Sequence, residues 1–246
     1  MENGQSDLLL DGYTAITSRL DPRDAEDYHV ALLKRERILF QWHIDVTGAF
    51  WAPPPAVLAS DQHLWLIDYA VRDAGPVIPQ KIWTPKKASD KVRRVDHEKL
   101  HPPIFFFHDN GRDLGLPLIE AAGTNTISLQ GAEEAAPVGQ SAHAQIRINW
   151  CGYRHLEWNE QISIQRQTEK KEPISLETFA RHVAKKVKKF METARNTTCN
   201  DDRKFLIADQ HISPRDIILI GTVQVSQGSW MPILQLNDKR WYARVM

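Results

Sequence analysis

The most regular hydrophobic pattern in the chain lies between residues 176 and 194. Apolar residues recur there every three or four positions, which is the spacing of one face of an α-helix. Pro173 disfavours an earlier start, and the hydroxyl of Ser175 can accept a hydrogen bond from a free amide of the first turn. The pattern therefore predicts an amphipathic helix over about 176–194, whose apolar stripe consists of Leu176, Phe179, Val183, Val187, Phe190 and Met191.

The last third of the chain has the pattern of an antiparallel meander. A strand is predicted over 217–226, and Gln227-Gly228 supplies a turn before a return strand over 231–236. A further strand is predicted over 241–245. The segment 216–220 is apolar on both faces, so the first of these strands is expected to be central in its sheet.

Shorter strands are predicted before the helix. Apolar and polar residues alternate around 64–71, 146–150 and 162–164, as they do on half-buried strands. For 64–71, a short helix is the alternative. The apolar run 104–107 is followed by Asp109-Asn110-Gly111, which readily forms a hairpin turn. Strands on both sides of one strong helix favour an α+β fold with an antiparallel sheet over a βαβ array.

The domain organisation follows from the charge pattern at the N-terminus. Residues 1–30 carry seven acids against two bases, and residues 1–23 are predicted to form a loose acidic lead-in. Residues 24–246 are expected to form a single domain, with a helix over about 24–41.

Composition narrows the class of protein. The chain has 246 residues, and its 31 basic residues balance its 31 acidic ones. A net charge of zero argues against a surface built wholly for nucleic acid or an anionic membrane. Two cysteines, no basic leader and no long apolar run favour an intracellular protein of the cytoplasm or nucleus, with no membrane partner.

The last 140 or so residues have a recognisable pattern. It is carried by Pro103-Ile104-Phe105-Phe106, Gly115-Leu116-Pro117-Leu118, Ile146-Arg147-Ile148-Asn149-Trp150, Phe179-Ala180-Arg181-His182-Val183 and Ser226-Gln227-Gly228-Ser229-Trp230-Met231-Pro232. This pattern resembles a family of intracellular proteins from mushroom-forming (basidiomycete) fungi, although Cys151 stands where that family has proline. The resemblance implies a fungal setting and supplies no activity and no catalytic residues.

A zinc-hydrolase motif occurs in the middle of the chain. His97-Glu98-Lys99-Leu100-His101 fits H-E-x-x-H, in which two imidazoles on one helix face bind zinc and the glutamate, here Glu98, activates water. Glu120 stands at the spacing of a third ligand. Against this, Pro102 disfavours helical geometry at His101, and the surrounding charges are typical of a surface loop.

The polar side of the predicted helix is basic. Its candidate binding residues for a partner or nucleic acid are Arg181, Lys185, Lys186, Lys188 and Lys189. The segment 81–101 adds seven bases against three acids. Such lysines can neutralise phosphates, whereas the alternative interpretation is a solvated helix face with local ion pairs.

Two further places in the chain are candidates for chemistry or partner contact. Cys151 and His155 are a thiol and an imidazole close in sequence, but catalytic pairs are assembled in space, so a structural role is favoured. Trp230, in a predicted hairpin, is a candidate partner platform because aromatic residues concentrate at interfaces. Core packing is the role that the sequence favours for it.

No constellation of residues defines a reaction. The sequence therefore favours a non-catalytic binding or interaction protein, expected to be an accessory or regulatory factor in a fungal pathway, with an unidentified protein partner and no cofactor. Nucleic-acid binding through the helix and the 81–101 segment, and zinc-dependent hydrolysis at 97–101, are the alternatives.

Overall fold

The computed structural model describes part of the chain. The described residues are 43–44, 50–52, 66–68, 75, 77–78, 80, 83, 85–87, 89, 101, 103–110, 113–139, 141–166, 171–200 and 203–238. The predicted acidic lead-in, the helix over 24–41, the strand over 241–245 and most of the segment 81–101 lie outside them.

The long helix, α2, spans Leu176–Arg195. Its N-terminus is capped as predicted, because the Ser175 side chain accepts a hydrogen bond from the Thr178 amide (3.3 Å). A shorter helix, α1, spans Leu118–Ala122 and packs against α2. The predicted apolar stripe is buried except for Leu176, which is half-buried at the first turn.

The main sheet has six strands and is mixed. The strands are β4 (Ile104–Phe105), β5 (Leu116–Pro117), β6 (His143–Ile148), β7 (Trp158–Ser163), β8 (Ile217–Ser226) and β9 (Ser229–Leu236). Their order is β4-β8-β9-β6-β7, and β5 also pairs with β8. The predicted α+β class is confirmed, and every pairing is antiparallel except β6 with β9.

The hairpin of β8 and β9 forms the centre of this sheet. Both strands are buried along nearly their whole length, as the apolar pattern of β8 predicted. Gly228 has a positive φ of 74° at the turn, a conformation that favours glycine. At Gly221, a Cβ atom would lie 2.2 Å from the Ile104 carbonyl oxygen, so glycine allows β4 to approach β8.

Apolar clusters cover both faces of the sheet. On one face, α2 inserts Phe190 among Trp150, Tyr153 and Trp158, with ring centroids 5.7–6.4 Å apart. The other face buries a smaller cluster that includes Val77, Phe107, Met231 and Ile233. Aromatic packing therefore holds α2 against one face of the main sheet.

Three short strands form a separate sheet, in the order β1 (His43–Ile44), β2 (Phe50–Ala52), β3 (Leu66–Asp68). Both of its pairings are antiparallel. Within the described residues, no helix combines the length and the apolar character that crossing a membrane would require.

Candidate functional site

Strand β7 lies at the edge of the main sheet. The amide of Ile164, just beyond the strand, donates to the carbonyl of Ala142 at 3.0 Å. Because backbone groups of an antiparallel strand alternate in direction, the amides and carbonyls of Asn159, Gln161 and Ser163 point away from β6. No strand of the described part of the chain pairs with this outer edge.

The basic stripe of α2 runs beside this edge. Four side chains of α2 that recur at helical spacing face β7: those of His182, Lys185, Lys186 and Lys189. The helix and the strand run in opposite directions, since His182 contacts Ser163 and Lys186 contacts Glu160. Between helix and strand lies an open groove of about 410 Å³. Its lining residues are Gln161, Ile162, Ser163, His182, Lys185, Lys186 and Lys189.

Glu160 neutralises part of the groove's positive charge. Its carboxylate accepts hydrogen bonds from Lys186 (2.8 Å) and Lys189 (2.5 Å). These two bonds hold the pKa of Glu160 below its ordinary value. Lys185 is exposed and makes no ion pair with any described residue. Three lysines therefore face one carboxylate, which leaves two net positive charges along the groove.

His182 connects the helix to the outer edge of β7. Its Nδ1 lies 3.1 Å from the carbonyl oxygen of Ser163, and since that oxygen can only accept, Nδ1 carries the proton. Burial lowers the pKa of His182, and the neighbouring charges of Lys185 and Lys186 lower it further. The imidazole is therefore neutral at neutral pH, with its lone pair on Nε2.

The other basic residues predicted on this helix have different surroundings. Arg181 is mostly buried, pairs with Glu177 at 2.6 Å and donates to the carbonyls of Gly123 and Asn125, so it ties α2 to the loop after α1. Lys188 is exposed, lies 3.9 Å from Glu192 and does not line the groove. The structure thus brings Lys185, Lys186 and Lys189 together and separates them from Arg181 and Lys188.

Trp230 belongs to the core. Its side chain is fully buried, with its ring 5.9 Å from that of Phe179 and 6.1 Å from that of His101. It contributes to packing beneath α2 and does not reach the groove.

The predicted zinc ligands are only partly described. His97 and Glu98 lie outside the described residues, so the hydrolase reading stays a prediction. His101 donates its backbone amide to Gln224 (2.6 Å), and Glu120 is exposed on α1. Among the described residues, no group of three potential metal ligands occurs.

The thiol and imidazole near residue 151 have separate environments. Cys151 is buried in the main core, whereas His155 is exposed and its Nδ1 lies 3.2 Å from the side-chain amide of Asn200. Burial raises the pKa of the nearby Tyr153 phenol, which accepts a hydrogen bond from the Ile207 amide. These contacts fit a structural role for the segment.

Sequence reasoning did not identify four residues that shape the groove: Glu160, Gln161, Ser163 and His182. The Ile162 and Ile164 alternation predicted a strand, but no local signal marks a strand as an edge. Comparisons with protein-family models, curated proteins and solved structures gave no match to this chain. The resemblance to a fungal family stays a prediction.

Proposed function

We propose that this protein is a non-catalytic binding protein whose groove between β7 and α2 binds an acidic segment of a partner protein. The observation that carries the proposal is the cluster of Lys185, Lys186 and Lys189 beside a sheet edge that no described strand pairs with. Among the described residues, Glu160 is the one carboxylate bonded to these lysines. An acidic ligand can replace Glu160 as their partner and can also use Lys185, which is unpaired among the described residues.

A protein segment fits this site better than nucleic acid does. Nucleic-acid affinity comes from many phosphate contacts, together with exposed aromatic rings on which bases stack. Here Arg181 is occupied by backbone carbonyls, Trp230 is buried and the three lysines occupy little more than one helical turn. The groove thus offers a short basic surface beside backbone donors and acceptors.

The setting of the proposal rests on sequence alone. The proposal includes a location in the cytoplasm or nucleus and an accessory role in a fungal pathway. It also includes no resident cofactor.

Fluorescence anisotropy with a labelled peptide of alternating Glu and Val residues tests the proposal. The double variant Lys185→Gln/Lys189→Gln should weaken binding about tenfold, because it removes two charges from the groove. The matched control, Lys86→Gln/Lys188→Gln, removes two exposed lysines that pair with Glu157 and Glu192 away from the groove. It should change affinity by less than about threefold.

Three results would contradict the proposal. Wild-type protein that does not bind the peptide would remove it, and so would equal losses in the two double variants. Tighter binding of a single-stranded oligonucleotide, with affinity falling steeply between about 50 and 200 mM salt, would assign the basic helix to nucleic acid instead.

A further inference from the structure

The outer edge of β7 has the properties of a template for an added strand. Residues Asn159, Gln161 and Ser163 present amides and carbonyls outward, and no strand of the described part of the chain pairs with them. The edge spans the six residues of β7, or about 20 Å at the rise of a β-strand. Such an edge can accept an extended peptide through main-chain hydrogen bonds.

The basic stripe lies where side chains of an added strand would reach it. In a strand, successive side chains point to opposite faces, so every second residue of a ligand would face α2. Helix residues 182, 185, 186 and 189 run beside the strand from Ser163 to Glu160, and His182 already bonds the outward carbonyl of Ser163. The contacts between α2 and β7 thus place lysines that can bind acidic side chains beside backbone groups that can bind the main chain of a ligand.

We infer that the acidic segment binds in extended form and adds to the sheet as a seventh strand beside β7, an inference that rests on the proposed function. Its main chain bonds the outward amides and carbonyls of Asn159 and Gln161 and the outward amide of Ser163, whose carbonyl is bonded by His182. Its acidic residues, at alternate positions, contact Lys185, Lys186 and Lys189. The ligand class is therefore an extended segment with acids at every second position, not an acidic helix or a free anion.

Alternate N-methylation of the Glu-Val peptide tests this binding mode without changing the peptide's charge. One version carries N-methyl groups on every Glu amide, and the other carries them on every Val amide. Only one of these two sets can face β7, because amides alternate in direction along a strand. One version should therefore lose at least about tenfold in affinity, while the other stays within about threefold of the unmethylated peptide.

A variant of the protein gives a second, independent readout. Gln161→Pro removes one outward amide, and since that amide takes no part in the β6–β7 ladder, proline is compatible with this edge position. Binding should fall about threefold or more, with the fold retained in the far-UV circular dichroism spectrum. Matching affinities of wild type and variant would count against an added strand.

The outcomes separate this inference from the function on which it rests. If the unmethylated peptide binds and depends on Lys185 and Lys189, but the two methylated versions bind equally, the groove binds acidic segments without strand addition. If the unmethylated peptide does not bind at all, the proposed function fails. The charges of Glu160 and the lysines would then serve to keep the edge strand from pairing with another chain.

Discussion

Replacing Glu160 by glutamine should strengthen binding of an acidic peptide while weakening the fold. Glu160 holds Lys186 and Lys189 at 2.8 and 2.5 Å, and its side chain is 25% exposed. A ligand carboxylate must therefore compete with it. Glu160→Gln keeps the shape of the side chain but removes the charge, which raises the net charge of the groove from two to three.

The magnitude follows from the exposure of these pairs. At about 4 Å, two unit charges interact by about 1 kcal/mol in water and about 4 kcal/mol near a protein surface, and measured partly exposed pairs contribute up to about 1 kcal/mol. We expect the variant to bind the peptide about fivefold more tightly, which corresponds to about 1 kcal/mol. Its free energy of unfolding should fall by about 1 kcal/mol.

Anisotropy titration and urea unfolding measure the two effects. Glu192→Gln is the matched control, because it removes the same charge from the same region, where Glu192 pairs with Lys188 outside the groove. That control should leave affinity nearly unchanged. Unchanged or weaker binding by Glu160→Gln would refute the competition between Glu160 and the ligand.

Four further predictions concern pH and packing. Burial lowers the pKa of His182, and the charges of Lys185 and Lys186 lower it further. The carboxylates of a bound acidic ligand would raise this pKa, as a negative charge favours the imidazolium, so peptide affinity should rise about twofold or more from about pH 7.5 to 6. Anisotropy should show this rise in wild type and in His155→Gln, but not in His182→Gln. Because the lowered pKa also disfavours the imidazolium in the folded state, urea unfolding should show stability falling as pH drops below about 6.5. Phe190→Ala should cost about 3–5 kcal/mol in urea unfolding, since it empties the space between three aromatic rings. Gly221→Ala should cost about 1–3 kcal/mol, because its Cβ would meet the Ile104 carbonyl, and an unchanged melting temperature would contradict that reading.

The sequence predicted those elements whose signals are local. The stripe from Leu176 to Met191 and the Ser175 cap together define α2 within a residue or two. The β8–β9 hairpin follows from two apolar runs around Gln227-Gly228. In each case, the residues that determine the structure are neighbours in the chain, so periodicity and turn chemistry suffice.

Features that depend on distant residues could not be predicted in this way. The parallel pairing of β6 with β9 joins Gln145 to Ser229, and no local pattern specifies such a partner. The groove has the same origin, because Glu160 and Lys186 are 26 residues apart and meet only when α2 packs on the sheet. For Trp230, the sequence favoured core packing over a partner platform, and the structure buries its ring against that of Phe179.

The most direct test of the account is a map of the binding site by NMR. ¹⁵N-labelled protein would be titrated with the acidic Glu-Val peptide, and amide chemical shifts followed to saturation. We predict that the largest changes fall on Asn159, Gln161 and Ser163 and on helix residues 182–189, with little change in β4 at the opposite end of the sheet. Saturable shifts centred elsewhere, with β7 and α2 unaffected, would contradict the assignment of this groove as the binding site.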